Sequence, residues 1–282
     1  MFKQICKLDE YYITRTEIEV LQQNSQEIAK IIGEKCLLIE YGSGSVEKVY
    51  PIIDALESPA GYIPIDIAKE HLFDYAEFTS SKYPDLDITA VFADYTQQEF
   101  KLPDEKLLND KDINNKVILF AGSTIGNLVY SEAVALLKKS ANLLNGKGGM
   151  LIGVDLKKDP NILHAAYNDS QGLTAKFNLN ILDNINRELD ANFNLDDFYH
   201  YAPYNPTIGR IELHLVSKKS QNVKVLGQEF SFKEGESIHS ENSHKYSIVD
   251  LGELALEAGF KLKKSWLDKN NLFSVNYLEL QN

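Results

Sequence analysis

Residues 36–48, Cys-Leu-Leu-Ile-Glu-Tyr-Gly-Ser-Gly-Ser-Val-Glu-Lys, restrict the fold more than any other stretch of the chain. An aliphatic run ends in an acid, Glu40, then comes a Gly42-Ser43-Gly44 turn, and a helical pattern follows at once. Strand, tight glycine turn and helix, in that order, open a nucleotide-binding α/β unit. The glycines let backbone approach a ligand that a Cβ would push away, and a helix N-terminus offers free N–H groups to an anion. A dinucleotide fold asks for a third glycine three positions after Gly44, where this chain has Glu47, and a carboxylate there repels a pyrophosphate. An acid before the turn and Gly-x-Gly without the third glycine suit S-adenosylmethionine, which has no phosphate and a zwitterionic end whose carboxylate Lys48 could meet. On this motif alone, an ordinary strand–loop–helix with convenient glycines stays equally open.

The rest of the first half alternates strand and helix. Thr14-Arg15-Thr16-Glu17 has the form of a capping box and starts a helix to Ile32, closed by Gly33. After the glycine turn, Val46, Val49, Ile52, Ile53 and Leu56 recur at helical spacing, with Pro51 as a kink. Tyr62 to Asp66 reads as the second strand, and Asp66 at its carboxyl end, about 20 residues past the turn, can take both hydroxyls of a ribose or cap the helix over 68–82. A third strand, Ile88 to Phe92, leads into Asp94 and Tyr95, placed for an adenine amino group and ring. Val117 to Phe120 is apolar throughout, as a central parallel strand should be, and empties into the loop Gly122-Ser123-Thr124-Ile125-Gly126-Asn127. A helix over Ser131 to Leu144 and a strand over Met150 to Asp155 complete the series.

After Asp155 the alternation stops. Asp159-Pro160 starts a capped helix, and a second helix carries Phe177, Ile181, Ile185 and Leu189 on one face and asparagines on the other. Residues 210–217 alternate as a strand, 228–246 form strand–loop–strand, and Ser247 caps a last helix followed by strands over 260–267 and 272–280. The chain therefore divides into a doubly wound, mostly parallel core of residues 30–155 and 247–282 with an antiparallel last strand, and a cap of 1–29 and 156–246 over the strand ends.

The 282-residue length suffices for a substantial core, and a formal charge of −12 argues against a nucleic-acid groove. Fifteen tyrosines and thirteen phenylalanines against one tryptophan are more rings than a structural core alone requires. Cys6 and Cys36 match no metal spacing and point to a reducing compartment; with no apolar leader and no membrane-length run, a cytoplasmic protein is expected. His239, Glu241 and His244 do not share one strand face, so no metal is expected there.

Five segments, taken together, resemble the S-adenosylmethionine-dependent histidine N-α-methyltransferases of ergothioneine biosynthesis. They are Glu10-Tyr11-Tyr12-Ile13-Thr14-Arg15-Thr16-Glu17, Tyr41-Gly42-Ser43-Gly44-Ser45-Val46-Glu47-Lys48, Ile63-Pro64-Ile65-Asp66, Gly122-Ser123-Thr124-Ile125-Gly126-Asn127 and Glu241-Asn242-Ser243. They span nearly the whole chain in the family's order. The resemblance implies a Rossmann-like class I methyltransferase with an inserted α+β substrate domain. It implies S-adenosylmethionine contacts at Tyr41, Gly42, Lys48, Asp66, Asp94 and Tyr95, with S-adenosylhomocysteine as product. It also implies that Asn127 and Tyr167 hold the carboxylate and amino end of the substrate, while Tyr11, Glu241 and Ser243 line an imidazole pocket. Of these, Tyr11, Asn127 and Tyr167 would carry the catalytic positioning. Leu213 stands where the family has a methionine, and family members begin several tens of residues earlier, with an aromatic segment that reaches the active site. A monomer acting on a small amino acid is the expectation, with a lid supplied by a partner as the alternative.

Period-two geometry puts Glu241 and Ser243 on one face of an extended segment, where glutamate accepts from one ring N–H and serine donates to or accepts from the other nitrogen. Methyl transfer from a sulfonium expels a neutral thioether and needs no strong acid; alignment and dryness supply the acceleration. Aromatic faces at Tyr11, Tyr12 and Tyr167 would favour a quaternary ammonium product. Competing readings are methylation of another amino acid or amine, a non-catalytic cofactor-binding subunit, and, more distantly, a nicotinamide-dependent oxidoreductase.

Overall fold

In the computed structural model, which describes residues 1–43, 48–103, 112–146 and 148–281, the aliphatic run of the opening motif is a strand buried along its whole length. That strand, β1 (Cys36–Tyr41), is an interior strand of a seven-stranded sheet with β2 (Gly61–Asp66), β3 (Val91–Phe92), β4 (Asn115–Phe120), β5 (Gly148–Asp155), β6 (Phe260–Leu267) and β7 (Phe273–Leu280). The spatial order is β6-β7-β5-β4-β1-β2-β3. Strands β1 to β5 are parallel, and β7 runs antiparallel to both β5 and β6. Continuous apolar sequence in β1, β4 and β5 follows from this position, because both faces of the sheet are covered. On one face, Leu37, Ile39, Ile118, Phe120, Met150 and Ile152 pack with Leu137 and Leu254 of the helices Tyr130–Leu144 and Ile248–Glu257. Each such fully buried side chain contributes about 1.5–3 kcal/mol. On the other face the helix Ile13–Ile32 lies against β5, β6 and β7, and Glu27 accepts from the indole N–H of Trp266 at 2.7 Å.

The residues group into two compact units, one of Ile13–Leu156 with Tyr246–Asn282 and the other of Met1–Tyr12 with Lys157–Lys245. The unit boundary falls at Tyr12 where residue 29 was expected: the helix Ile13–Ile32 groups with the sheet unit, and its apolar stripe (Val20, Leu21, Ile28, Ile32) is buried there against the helix Tyr50–Ile53 and strands β5, β6 and β7. In the second unit, strands Phe198–Tyr201, Arg210–Ser217 and Ser237–His244 form an antiparallel sheet, joined at its edge by Tyr204–Asn205. A hairpin of Gln221–Val225 and Gln228–Phe232 stands beside it, and Leu182, Phe193, Phe198, Leu215 and Val223 make a small core. Helices Pro160–Tyr167 and Leu173–Glu188 belong to this unit, the first capped by the Asp159 side chain, which accepts from Asn161 N–H.

Several local expectations are corrected. Among the described residues the helix after the glycine turn covers Tyr50–Ile53, and Pro51 sits in its first turn, where a missing N–H costs nothing, rather than at a kink. Gly44, Val46 and Glu47 lie outside the described residues. The third strand shrinks to Val91–Phe92, with Ile88 making an isolated bridge to Tyr62. On the helix Leu173–Glu188 the buried face is Thr174, Asn178 and Leu182, while Phe177 and Leu189 are largely exposed.

Candidate functional site

The carboxyl ends of β1, β2 and β3 carry the residues expected to meet a cofactor, and the loop after β4 adjoins them. Gly42 has φ of +74°, a conformation that a side chain strains, and this is what requires glycine there. The amides of Gly42 and Ser43 both donate to the Ile65 carbonyl, at 2.9 and 3.1 Å. They lock the turn to β2 instead of standing free for an anion, and the residues where the expected helix N-terminus would begin, 44–47, lie outside the described residues.

Charge at this end comes from side chains. Lys48 is buried and its Nζ lies 2.7 Å from Glu17 Oε2, itself 1% exposed. Gly122 N–H donates to both Glu17 carboxylate oxygens, each at 2.9 Å. Glu17 was expected to close a capping box; it instead reaches from the helix Ile13–Ile32 to the loop after β4, and so ties Lys48 to the Gly122–Asn127 loop. Gly153 on β5 makes room for it, since a Cβ there would overlap Glu17 Oε1. A Cβ at Gly122 would lie 3.1 Å from Lys48 Nζ, so this glycine also keeps the ammonium uncrowded. Glu40, the acid before the turn, is buried and accepts from Tyr62 O–H; burial pushes its pKa up to about 7, against the Tyr62 hydrogen bond and the Lys48 cation.

Asp66 ends β2 half-buried, and its Oδ1 accepts from Ala68 N–H at 2.8 Å. The other carboxylate oxygen carries no hydrogen bond among the described residues and is available to a pair of hydroxyls. Asp94 closes its own turn: Oδ1 accepts from Thr96 N–H and O–H, and Oδ2 accepts from Gln97 Nε2 at 2.7 Å. These hydrogen bonds hold its pKa below the usual carboxylate range. Tyr95 stacks on Tyr41, ring centroids 4.5 Å apart and planes 7° off parallel, with Phe120 edge-on to both. Burial raises both phenols to about 12, so each keeps its proton. Asn127 is exposed at the end of the turn Thr124–Asn127, and it does not cap the next helix, whose N-cap Val129 donates its backbone N–H to Glu132 Oε2 at 3.1 Å.

A second polar cluster lies within the other unit. Tyr167 Oη and Ser243 Oγ are 2.7 Å apart, and both are buried. Lys245, 2% exposed, donates to each of them at 2.8 Å and lies 4.5 Å from the centre of the Tyr167 ring. Tyr11 meets Tyr167 edge to face at 6.3 Å, and Phe2 continues the row to Phe177. Glu241 stands opposite Leu213 across the strand pair, just past a bulge at Ser240, and its pKa is raised by burial against the Lys245 charge. Leu213 is buried. Beneath this cluster, His200 Nε2–H donates to the Tyr167 carbonyl at 2.8 Å and Nδ1 accepts from Asn178 at 3.0 Å. Asn178 also accepts from Ser240 Oγ at 2.6 Å. Tyr12 receives a hydrogen bond from Lys158 at 2.7 Å.

The sequence reading missed Glu17, Lys245 and the Asn178–His200 pair. For Lys245 a signal was present: Glu241, Ser243 and Lys245 sit two apart, so an extended backbone points all three the same way. For Glu17 there was none, because its partner Gly122 is 105 residues away. Among the described residues no group of three metal-ligating side chains forms, and His239 bonds the Glu241 carbonyl and stacks on His214 instead. No helix among them is long and apolar enough to cross a membrane.

The cradle of Lys48, Asp66 and the Tyr41–Tyr95 stack fits S-adenosylmethionine: a buried cation for a carboxylate, an open carboxylate oxygen for ribose hydroxyls, and flat rings for a base. Comparison with known proteins agrees with this chemistry. A family model described as histidine-specific methyltransferase, SAM-dependent, matches residues 1–280. A histidine N-alpha-methyltransferase of Mycolicibacterium smegmatis is 35% identical over 281 residues, covering 98% of this chain and 85% of that protein. The protein of the same name from Mycobacterium tuberculosis is 34% identical over the same coverage. Among solved structures, the CcbJ methyltransferase of Streptomyces caelestis superposes with a TM-score of 0.51 at 12% identity, over 93% of this chain and 95% of that one, a likeness of fold alone.

Proposed function

The chain belongs to the family of S-adenosylmethionine-dependent, histidine-specific methyltransferases, and from that premise we propose that it methylates the α-amino group of L-histidine, through to the trimethylated betaine. One observation carries the assignment of the acceptor: Tyr167 and Ser243 touch at 2.7 Å. The first is the residue that resemblance gives to the amino-acid end, the second the one it gives to the ring. A single small amino acid can engage both.

When bound, the cofactor supplies a methyl group on a sulfonium, which leaves a neutral thioether. The chain's own residues bind and orient. Lys48 holds the cofactor carboxylate while Glu17 fixes the ammonium, and Asp66 accepts the ribose hydroxyls with the oxygen not used by Ala68. Tyr95, held flat by Tyr41, would offer its ring to the base, and Asp94 shapes the turn that positions it. The Asn127 amide and the Tyr167 hydroxyl take the carboxylate and amino end of histidine. Glu241 and Ser243 take the two ring nitrogens, with Leu213 as an apolar wall. Leaving a buried imidazole without those partners costs about 1–3 kcal/mol per group, which favours histidine over apolar amino acids. Faces of Tyr11 and Tyr167 stabilise the cationic product as methyl groups accumulate.

Incubation with histidine and S-adenosylmethionine, followed by product mass, tests this directly. The trimethylated betaine is the expected product. No mass gain on histidine, with methylation of tryptophan or histamine under the same conditions, would overturn the assignment of acceptor and leave the methyl-transfer class intact.

A further inference from the structure

Around Asn178, protons are fixed by neighbours that can only accept. This residue is 1% exposed, and its Nδ2 lies 3.2 Å from the His214 carbonyl and 3.0 Å from His200 Nδ1. A carbonyl has no proton to give, so the amide must turn its NH2 group that way, and both its N–H bonds are then used. His200 Nδ1 therefore accepts. The other ring nitrogen meets the Tyr167 carbonyl at 2.8 Å and must carry the hydrogen. The His200 ring is thus confined to its neutral form with hydrogen on Nε2, because a second proton, on Nδ1, would face the Asn178 donor. On the far side of the amide, Oδ1 accepts from the Ser240 hydroxyl at 2.6 Å, and that hydroxyl is also 3.0 Å from the Leu213 carbonyl. Ser240 is the bulged residue immediately before Glu241.

The chain of hydrogen bonds starts on the backbone of Tyr167 and ends beside Glu241, the residues given to the amino-acid end and the ring of the acceptor. We propose that Asn178 and neutral His200 are positioning residues for the acceptor: they set Tyr167 against the strand Ser237–His244, and the acceptor is held firmly only while His200 lacks a second proton. This rests on the histidine reading above. Asn168 ties the same helix end to Ala202 through two further hydrogen bonds, at 2.9 and 3.3 Å, which anchors the turn independently of the pair. The Tyr167 phenol and the His214 ring, on the neighbouring elements, are turned to Ser243 and Ser237. Asp169 is the charged group that acts on His200, and its carboxylate favours the second proton; burial opposes it more strongly and holds the ring below its ordinary 6.5. Acceptor affinity should therefore be complete above about pH 6.5 and fall below it.

Calorimetry of histidine binding with S-adenosylhomocysteine saturating, together with steady-state kinetics, tests this. Asn178→Ala should raise the histidine Kd and KM about tenfold, the size of lost buried hydrogen bonds, with kcat and S-adenosylhomocysteine affinity little changed. Ser240→Ala, which leaves the His200 ring state intact, should cost less. In His200→Gln the side chain can accept from Asn178 and donate to Tyr167 but takes up no proton near neutral pH. Wild-type affinity should therefore fall about threefold or more relative to His200→Gln between about pH 7.5 and about pH 5.5, and titration of the ligand's own ring cancels in that ratio. A constant ratio overturns the proposal, as does an unchanged KM in Asn178→Ala or a parallel loss of S-adenosylhomocysteine binding. If either variant does not fold, nitrogen–proton correlation spectra of the wild type decide. There His200 should be neutral with hydrogen on Nε2 at about pH 7, and saturating histidine should lower its pKa further by linkage. The other tautomer, or a pKa that histidine does not move, overturns the proposal. A wild-type enzyme that methylates some other amino acid defeats the histidine reading alone, and the same variants and pH series with that acceptor still decide the role of the pair.

Discussion

Glu17 is 1% exposed and carries two duties: it accepts the Gly122 amide with both oxygens and neutralises Lys48. A buried carboxylate is tolerated there because each oxygen is hydrogen-bonded and the opposite charge sits at 2.7 Å. Glu17→Gln keeps the shape and removes the charge, leaving Lys48 uncompensated, a change that costs about 3–5 kcal/mol when a buried pair is broken. Thermal unfolding should therefore fall by several degrees in the free enzyme. Saturation with S-adenosylhomocysteine should restore more stability to Glu17→Gln than to the wild type, because the ligand's carboxylate replaces the missing anion. An equal ligand-induced shift in the two proteins would show that Lys48 does not meet that carboxylate. The sequence flagged Glu17 only as part of a capping pattern, since local spacing contains no information about a loop more than a hundred residues downstream.

At the level of the element, β5 is shaped by what its neighbours need. Gly153 faces Glu17, and a Cβ there would overlap Glu17 Oε1 and come within 3.0 Å of the Phe273 ring. Gly153→Ala should consequently displace Glu17 and lower stability by about 1–3 kcal/mol, the usual cost of overpacking. It should also loosen Lys48, so that S-adenosylhomocysteine binds more weakly; calorimetry alongside thermal unfolding checks both effects, and retained affinity would place Glu17 outside cofactor recognition. The helix Leu173–Glu188 carries the complementary lesson. Its apolar spacing pointed to Phe177, Ile181, Ile185 and Leu189, of which Ile185 packs against the small core, yet Asn178 is buried at 1% exposure because His200, His214 and Ser240 together satisfy its amide. Hydropathy patterns cannot anticipate a polar residue whose partners come from three other elements.

Over the whole molecule, one buried and one half-buried titrating group give stability opposite pH trends. Burial raises the Glu40 pKa from 4.5 to about 7, so its contribution is complete below about pH 4.5 and is lost as pH rises through 7. His200 is shifted below 6.5 by burial, so its contribution is complete above that value and is lost as pH falls. Replacing each group removes its slope. The stability of Glu40→Gln relative to wild type should improve between about pH 5 and pH 8, whereas that of His200→Gln should worsen over the same range. Denaturant unfolding at the two pH values measures both differences, and parallel trends would contradict the burial argument.

Sequence by itself determined the succession of elements and the family. Period-two and period-3.6 patterns, glycine turns and capping residues are local, and they reported the parallel core, its antiparallel last strand and the loops at the strand ends. The linear order of short motifs around Tyr11, Gly42, Asp66, Asn127 and Glu241 identified the relatives, because each motif is contiguous in the chain. Tertiary structure alone decided which polar groups complete one another: Glu17 with Lys48 and Gly122, Tyr167 with Ser243 and Lys245, and His200 with Asn178. Those partnerships depend on distances between residues far apart in the chain, and burial, which makes an unpaired polar atom costly, is what selects them.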